Sequence, residues 1–339
     1  MNEQALQRLF GWRQAFADPG TAWLVGGVFG ALLLASLVIA ALAMVGRVQP
    51  KTKQELIRRT VAWWVMAPLL LGPILAGAAW TILGVTVLSL FCYREFARAT
   101  GLFRERFVSS FVAFGILALA FAVLDHWYGL FMALIPLVVV SLGGLGVLLD
   151  RPDGYIQRTA LGVFAFLLFG VCLAHVAYFA NDGGYRPMLV LLLVAVELND
   201  VFAYVCGRVF GARLFGGRKL MPNTSPNKTR AGAVGALVLS SLLMVGIGPL
   251  VFVGPELHGV GHMLALGAIV AVGGQLGDLM LSAIKRDLGI KDFAATIPGH
   301  GGLLDRFDSL LLVAPAAFHY VGYVRGIGLD DAARIFSGG

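Results

Sequence analysis

The sequence has 339 residues, of which 58% belong to the hydrophobic set AVILMFWYC and 13% are charged, and its formal net charge is +7. Soluble globular proteins carry about 25% charged residues, so this composition excludes a soluble fold, a disordered chain, a disulfide-stapled secreted module and a coiled coil. Because the apolar runs are continuous rather than alternating, we predict an all-α, polytopic integral membrane protein and not a β-barrel.

The first 20 residues form a short amphipathic segment, which we interpret as an interfacial helix. The apolar run after it is too long for the core of a signal peptide, so we expect a retained span. At about 20 residues per crossing, the predicted spans are 22–46, 61–77, 79–93, 107–124, 129–149, 159–180, 187–206, 231–253, 262–284 and 309–326. The sequence thus predicts about ten transmembrane helices, or nine if the second and third join around Gly77 and Ala78.

Basic residues are concentrated in alternate loops. They follow the first, third, fifth, seventh and ninth predicted spans, whereas the connections between those loops contain one base in all. The positive-inside rule therefore places the basic loops in the cytoplasm and both termini outside. We expect location in the inner membrane of a bacterium, contact with anionic lipids, and an active site facing the cytoplasm.

The chain divides into two halves by the position of its polar groups. Residues 1–185 are predicted to be a transmembrane scaffold with lipid contacts, and residues 186–339 a catalytic half with a basic loop at 208–230. In the seventh span, Glu197, Asp200 and Tyr204 share one helical face. Glu197 fits a helix-to-helix hydrogen bond as well as a functional role, whereas Asp200 is the better functional candidate.

The second group of polar residues lies in a signature segment at 282–309. Asp278, Ser282, Lys285 and Arg286 lie on one face of the ninth span, and a segment with Pro298, Gly299, His300, Gly301 and Gly302 follows it as a candidate anion-binding nest. Asp305 and Asp308 then stand three residues apart. The hard oxygen donors of Asp278 and Asp305 suit Mg²⁺ or Mn²⁺, whereas His300 has no second His or Cys nearby and fits a loop or phosphate contact better than zinc.

The basic loop contains no acidic residue. Lys219, Ser225, Lys228 and Thr229 bring bases and hydroxyls together just before the small residues that open the next helix, which favours phosphate binding. The same loop is also explained by membrane topology alone. If both the loop and the carboxylates line one rim, the site suits phosphoryl or nucleotidyl transfer onto a lipid.

The signature segment resembles that of the phosphatidate cytidylyltransferase (CDP-diacylglycerol synthase) family. Its fixed positions are matched by Ser282, Lys285, Arg286, Lys291, Asp292, His300, Gly301, Gly302, Asp305, Arg306 and Asp308. The family's upstream features are similar to Gly277-Asp278, to Ser225-Pro226-x-Lys228-Thr229 and to Asp200 with Ala203 and Tyr204. The resemblance covers about residues 195–310; Val201 departs from the family pattern, and residues 1–60 add a span.

This resemblance implies roles for the matched residues. Asp278 and Asp305 would hold the divalent metal as part of a catalytic group with Lys285, Arg286 and Asp308. Ser225, Lys228, Thr229, Lys219, Ser282, His300, Gly301, Gly302, Arg306, Asp200 and Tyr204 would bind the substrates. The implied substrates are CTP and phosphatidate, and the implied products are CDP-diacylglycerol and pyrophosphate.

Other functions remain open at this stage. A CTP-dependent polyprenol or phytol kinase, or a cytidylyltransferase for another lipid phosphate, needs a similar site. A cation-coupled transporter explains intramembrane acids but predicts an inverted repeat, and the polar residues instead cluster in one half. From the family we expect a homodimer, and we expect no nucleic-acid partner.

Overall fold

The protein is a bundle of long helices, as its composition predicts. The structure is a computed structural model that describes residues 3–45, 49–252, 254–297, 299, 301–326 and 334–337. Among these residues, eight helices are long and apolar enough to cross a membrane. Each of the ten predicted spans lies in a helical element. The two that do not belong to the group of eight are 79–93, in a helix that ends in charged residues, and 309–326, in a shorter apolar helix.

The elements follow in this order. Helices α1 (Glu3–Phe10), α2 (Pro19–Met44), α3 (Pro50–Ala76), α4 (Ala78–Thr100), α5 (Arg106–Leu124) and α6 (Tyr128–Gly146) come first. Next come α7 (Tyr155–Ala165) and α8 (Leu173–Phe179), joined by a π-helical segment at Phe166–Cys172, and then α9 (Tyr185–Phe210). Strands β1 (Lys219–Met221) and β2 (Ser225–Thr229) precede α10 (Arg230–Val251), α11 (Val260–Asp287), α12 (Leu304–Phe307) and α13 (Leu310–Arg325).

The second and third predicted spans are two helices and do not fuse. The chain turns at Gly77, whose φ of 136° is open to glycine but not to a side-chain-bearing residue. The hydroxyl of Thr81 donates to the carbonyls of Pro73 and Gly77, which supplies a donor at the end of α3. The second and third predicted spans are therefore separate helices, as in the prediction of ten spans and not in that of nine.

The centre of the bundle is the element formed by α7, the π-helical segment and α8. Its aromatic side chains pack against α4, α6 and α13, with ring centroids 5.2 Å apart for Phe96 and Phe169 and 5.0 Å apart for Phe131 and Tyr178. By contrast, most of α2 is exposed, so this helix lies at the periphery. The buried centre holds α4 and α13 in place, and these helices flank the signature segment.

The basic loop contains a small β-hairpin that the sequence analysis did not predict. Strands β1 and β2 are antiparallel, with Lys219 opposite Thr229 and Met221 opposite Ser225. Thr229 then caps α10, because its hydroxyl accepts a hydrogen bond from the amide of Gly232 at 3.1 Å. The hairpin holds Lys228 in a defined position in the basic loop.

The loops meet in two groups, one at each end of the bundle. At one end Arg8 contacts His126 at 2.5 Å and Arg325 pairs with Asp182 at 3.1 Å. At the other end the hairpin contacts the C-terminal part of α11, where Arg286 Nε donates to the carbonyl of Thr224 at 3.3 Å. Each group contains only loops that the charge pattern assigns to one side of the membrane; which side is cytoplasmic remains a prediction.

Candidate active site

The site begins at an ion pair between the hairpin and α11. Lys228 Nζ lies 2.5 Å from Asp278 Oδ2, and the hydroxyl of Ser282, one turn further along α11, donates to Asp278 Oδ1 at 3.2 Å. Both partners of the ion pair are partly exposed, at 19% and 24% of their side-chain surface. Asp278 is therefore held at the surface of a cleft and not sealed in the core.

A second ion pair joins α11 to the signature segment. Lys285 Nζ lies 2.7 Å from Asp305 Oδ1, and both residues are buried. Asp305 Oδ2 accepts hydrogen bonds from the amides of Phe293 and Gly302, each at 3.0 Å. Asp278 and Lys285 are seven residues apart on α11 and therefore lie on the same face of that helix, so the two ion pairs are neighbours.

Asp308 and Asp200 approach the same point from the start of α13 and from α9. The amide of Ser309 donates to Asp308 Oδ1 at 2.7 Å, and its hydroxyl donates to Asp200 Oδ2 at 3.3 Å. Burial, together with the negative charges of Asp278 and Asp200, raises the pKa of the Asp308 carboxyl well above its usual range. Three carboxylates thus repel one another where α9, α11 and the signature segment meet.

Gly277 makes this close meeting possible. A Cβ atom at this position would lie 2.4 Å from the carbonyl oxygen of Asp308, a distance that real Cβ contacts do not reach. The backbone of α11 can therefore touch the start of α13 only because residue 277 has no side chain. Asp278, the next residue, is fixed opposite Asp308 by that contact.

Beside the carboxylates lies a cavity of about 990 Å³ between α3, α9 and the signature segment. Its lining consists of Glu55, Arg59, Trp63, Glu197, Asp200, Val201, Tyr204, Lys291, Asp292, Ala294, Ala295, Ile297, Gly299, Gly301 and Arg306. Asp200 connects the two regions, since it lines the cavity and also interacts electrostatically with Lys228 and Asp278. The size and mixed polarity suit a large ligand with both charged and apolar parts.

Comparison with known proteins identifies the family. Residues 57–324 match the sequence profile described as the cytidylyltransferase family, which is most of the chain and includes every element of the site from α9 onward. The chain belongs to the cytidylyltransferase family. Its resemblance to the phosphatidate cytidylyltransferases is thereby confirmed, and the protein is a nucleotidyltransferase enzyme.

Two kinds of relatives are similar to this cytidylyltransferase. The uncharacterized protein YnbB of Escherichia coli (strain K12) is 29% identical over 303 residues, which cover 87% of this chain and 96% of the relative. The phosphatidate cytidylyltransferase of Staphylococcus haemolyticus is 40% identical over 161 residues, and that of Staphylococcus aureus (strain COL) is 38% identical over the same length. These matches cover 45% of this chain and 58% of each staphylococcal protein.

The predicted site residues of this cytidylyltransferase fall into three groups and one residue outside the described part of the chain. The ion pairs and hydrogen bonds above involve Asp278, Ser282, Lys228, Lys285, Asp305 and Asp308, and Asp200, Tyr204, Gly301 and Arg306 line the cavity. Ser225, Lys219 and Thr229 belong to the hairpin, and Arg286 contacts it. His300 lies outside the described residues.

Backbone amides at the end of the glycine-rich segment already have acceptors within the protein. The amide of Gly302 donates to Asp305, and the amides of Leu303 and Leu304 donate to Glu95 of α4 at 3.1 and 2.9 Å. The hydroxyl of Thr296 also donates to Glu95, at 2.5 Å. These donors are used by the protein's own carboxylates, which fix the segment against α4.

Four residues of the N-terminal half contribute to the site without having been recognised in the sequence. Glu95 is buried and supports the signature segment, whereas Glu55, Arg59 and Trp63 of α3 line the cavity. Glu95 lies inside an element whose apolar run ends in charged residues, so it looked like part of a basic loop. The signal available in the sequence was an acidic residue, Glu95, directly after the apolar run of α4.

The oxygen donors around Asp278 fit a divalent cation. The carboxyl groups of Asp200, Asp278, Asp305 and Asp308 lie where α9, α11 and the signature segment meet, and the ammonium groups of Lys228 and Lys285 pair with Asp278 and Asp305. Hard oxygen donors are the ligands that Mg²⁺ favours. Among the described residues, no three His, Cys, Asp or Glu side chains are already arranged around one ion position.

Proposed function

We propose that this cytidylyltransferase transfers the cytidylyl group of CTP to phosphatidate and releases pyrophosphate. The observation that supports this most is the cluster in which Lys228, Asp278, Lys285 and Asp305 meet beside a cavity between α3 and α9. Paired lysines and carboxylates suit a nucleoside triphosphate, and a cavity walled by membrane helices suits a lipid. The staphylococcal relatives that carry the name phosphatidate cytidylyltransferase support the same acceptor.

The proposed reaction is a substitution at phosphorus. A phosphate oxygen of phosphatidate forms a bond to the α-phosphorus of CTP, and the bond from that phosphorus to the β-phosphate bridging oxygen breaks. CDP-diacylglycerol and pyrophosphate leave. The phosphatidate monoester carries about −1.5 to −2 charges at neutral pH, so its oxygen is nucleophilic without a general base.

The protein's main task is to bring two polyanions together. Lys228 and Lys285 supply positive charge at the cluster, and Arg286 lies beside the hairpin. The two lysines would release their carboxylate partners and bind substrate phosphates instead. This exchange would lower the repulsion between CTP and phosphatidate and align the attack. Ser225 and Thr229 fix the hairpin that carries Lys228.

We propose Mg²⁺, or Mn²⁺, as the cofactor, held by Asp278 and Asp305. The oxygen donors gathered at this point support the proposal, and Asp200 and Asp308 would add to the surroundings of the ion. When bound, the cation would neutralise phosphate charge and stabilise the departing pyrophosphate. The chain's own residues position the carboxylates that would receive it.

The remaining proposals concern the setting of the enzyme. We propose that the hairpin side faces the cytoplasm of a bacterium, that the protein lies in the inner membrane, and that anionic lipids contact its basic rim. The alternating distribution of basic residues supports the orientation. We also propose a homodimer, by analogy with the family.

A different acceptor is the main alternative. The relative that matches most of the chain, YnbB, has no substrate in its name, which leaves room for another lipid phosphate. A CTP-dependent lipid kinase would also use CTP but would release CDP. Product identity therefore separates these possibilities.

The deciding experiment incubates the purified protein with CTP labelled in its α-phosphate, phosphatidate and Mg²⁺. We expect the label in a lipid that migrates as CDP-diacylglycerol, with one pyrophosphate released per lipid formed. Labelled CDP in solution with an unlabelled lipid would identify a kinase. No product from phosphatidate, with product from another lipid phosphate, would replace the acceptor.

A further inference from the structure

We propose that Arg59 of α3 binds the phosphate of the acceptor lipid and that this lipid enters sideways from the bilayer between α3 and α9. The inference rests on the proposed function and assigns a substrate-positioning role outside the signature segment. It gives α3 a part in the reaction, whereas the sequence predicted only scaffold for this region.

One face of α3 reaches the cavity. Glu55, Arg59 and Trp63 follow one another at intervals of four residues and all line it. The opposite face, with Lys53, Ile57, Thr60, Val61 and Trp64, lines a separate apolar groove against α2. Arg58 lines neither space, so among these neighbouring arginines only Arg59 is directed to the cavity.

Arg59 can change its partner. Its only ion pair in the described structure is with Glu55, at 2.5 Å one turn back on the same helix, and 53% of its side-chain surface is exposed. Exposed pairs of this kind contribute little to stability, so this one can open at low cost. A phosphate with nearly two negative charges and a geometry that matches the guanidinium fork would compete well for Arg59.

Arg306 supplies a second positive group in the same cavity. Its Nε is buried, and no described atom accepts a hydrogen bond from it. A buried donor without an acceptor costs free energy, which an incoming phosphate oxygen would recover. Arg306 directly follows Asp305 in the chain and shares the cavity lining with Asp200, so a phosphate held here would lie on the side of the cavity next to the carboxylates.

The wall of the cavity on α9 explains why the ligand would be a lipid. Val201 and Tyr204 line the cavity and are also exposed on the surface of a membrane-spanning helix, at 51% and 64%. Trp63 faces them from α3. Aromatic side chains of this kind are enriched where lipid headgroups meet acyl chains, so an acyl chain can leave the cavity here while its phosphate stays inside.

The test compares Arg59→Ala with Arg58→Ala, a matched loss of one arginine from the neighbouring position. Initial rates are measured in mixed micelles while phosphatidate and CTP are varied separately. We expect Arg59→Ala to raise the KM for phosphatidate about tenfold or more, as for loss of a charged hydrogen-bond partner. The KM for CTP and all constants of Arg58→Ala should stay near wild type, and Arg59→Lys should recover part of the lipid affinity.

A second measurement separates this inference from the proposed function. Binding of phosphatidate to the purified wild type and both variants is measured by native mass spectrometry without CTP. If the wild type forms no CDP-diacylglycerol but binds phosphatidate through Arg59, the proposed reaction fails and the lipid site stands. If Arg59→Ala binds and turns over phosphatidate as Arg58→Ala does, the inference is overturned while the proposed function stands.

Discussion

At the scale of single residues, the carboxylates of the site differ in how exposed they are and in how many donors surround them. Asp278 pairs with a lysine on a hairpin and stays partly exposed, whereas Asp305 is buried with three donors around it. Asp305 consequently contributes to the shape of the signature segment whether or not a cation is present. Asp278 is the carboxylate that can exchange partners at the lowest cost.

Replacement of Asp278 by asparagine should abolish CTP-dependent product formation without unfolding the protein. Asparagine keeps the volume but removes the charge that pairs with Lys228 and would bind a cation. Activity is measured as pyrophosphate release, and folding as elution and Tm in detergent. Asp287→Asn, on an exposed residue at the end of the same helix, is the control; near-normal turnover of Asp278→Asn would remove Asp278 from the mechanism.

Replacement of Glu95 by glutamine should lower both stability and activity. The buried carboxylate accepts three hydrogen bonds from the signature segment, and an amide cannot accept all of them. Loss of charged hydrogen bonds costs about 1.5–3 kcal/mol, which we expect as a Tm lower by several degrees. Glu105→Gln, in a part-exposed pair with Arg158 at 3.7 Å, should change Tm little; equal effects of both variants would contradict the supporting role of Glu95.

At the scale of elements, the site depends on the approach of α11 to the start of α13. Helix periodicity in the sequence placed Asp278, Ser282 and Lys285 on one face, and the structure has that arrangement. The hairpin at β1 and β2 could not be predicted in the same way, because its strands are short and polar and have no apolar alternation. The contribution of α3 and α4 could not be predicted for another reason: the spacing of Glu55, Arg59 and Trp63 places them on one helical face, but no pattern in the sequence shows which distant helix that face meets.

Substitution of Gly277 by alanine tests that approach. The added methyl group would collide with the carbonyl of Asp308, so the backbones of α11 and of residue 308 must move apart. We expect a loss of activity of about tenfold or more, because catalytic geometry is sensitive to such shifts. The assay is product formation under saturating substrates, together with Tm.

Gly246→Ala is the matched control for this element. Gly246 lies in α10, and a Cβ atom there would meet nothing within 4 Å. This variant should keep wild-type activity and gain slightly in helix stability. If Gly277→Ala behaves like Gly246→Ala, the close approach does not control the site.

At the scale of the whole molecule, the two groups of loops define the orientation that the charge pattern predicts. The carboxylate cluster lies at the hairpin end of the bundle, so the side of the membrane that the hairpin faces decides where CTP must come from. Length and composition alone identify eight crossing helices in the described residues. The sequence predicted ten spans because shorter apolar runs were also counted as crossings, and the two additional runs lie in α4 and α13.

Cysteine accessibility tests this orientation. In a variant whose native cysteines Cys92, Cys172 and Cys206 are replaced, Lys219→Cys on the hairpin and Gly183→Cys in the exposed opposite connection are labelled with an impermeant maleimide. In intact cells we expect only Gly183→Cys to react, and in disrupted membranes both. Labelling of Lys219→Cys in intact cells would place the hairpin outside and overturn the proposed cytoplasmic site.

The bond between Glu95 and the signature segment joins residues 208 positions apart in the chain. Protein synthesis proceeds at about 5–20 residues per second, so the signature segment is synthesised on the order of 10–40 s after α4. Until then the carboxylate of Glu95, at the end of an apolar helix, lacks the backbone amides that later donate hydrogen bonds to it. Insertion of the first helices can therefore precede assembly of the active site, which becomes complete only when the signature segment reaches α4.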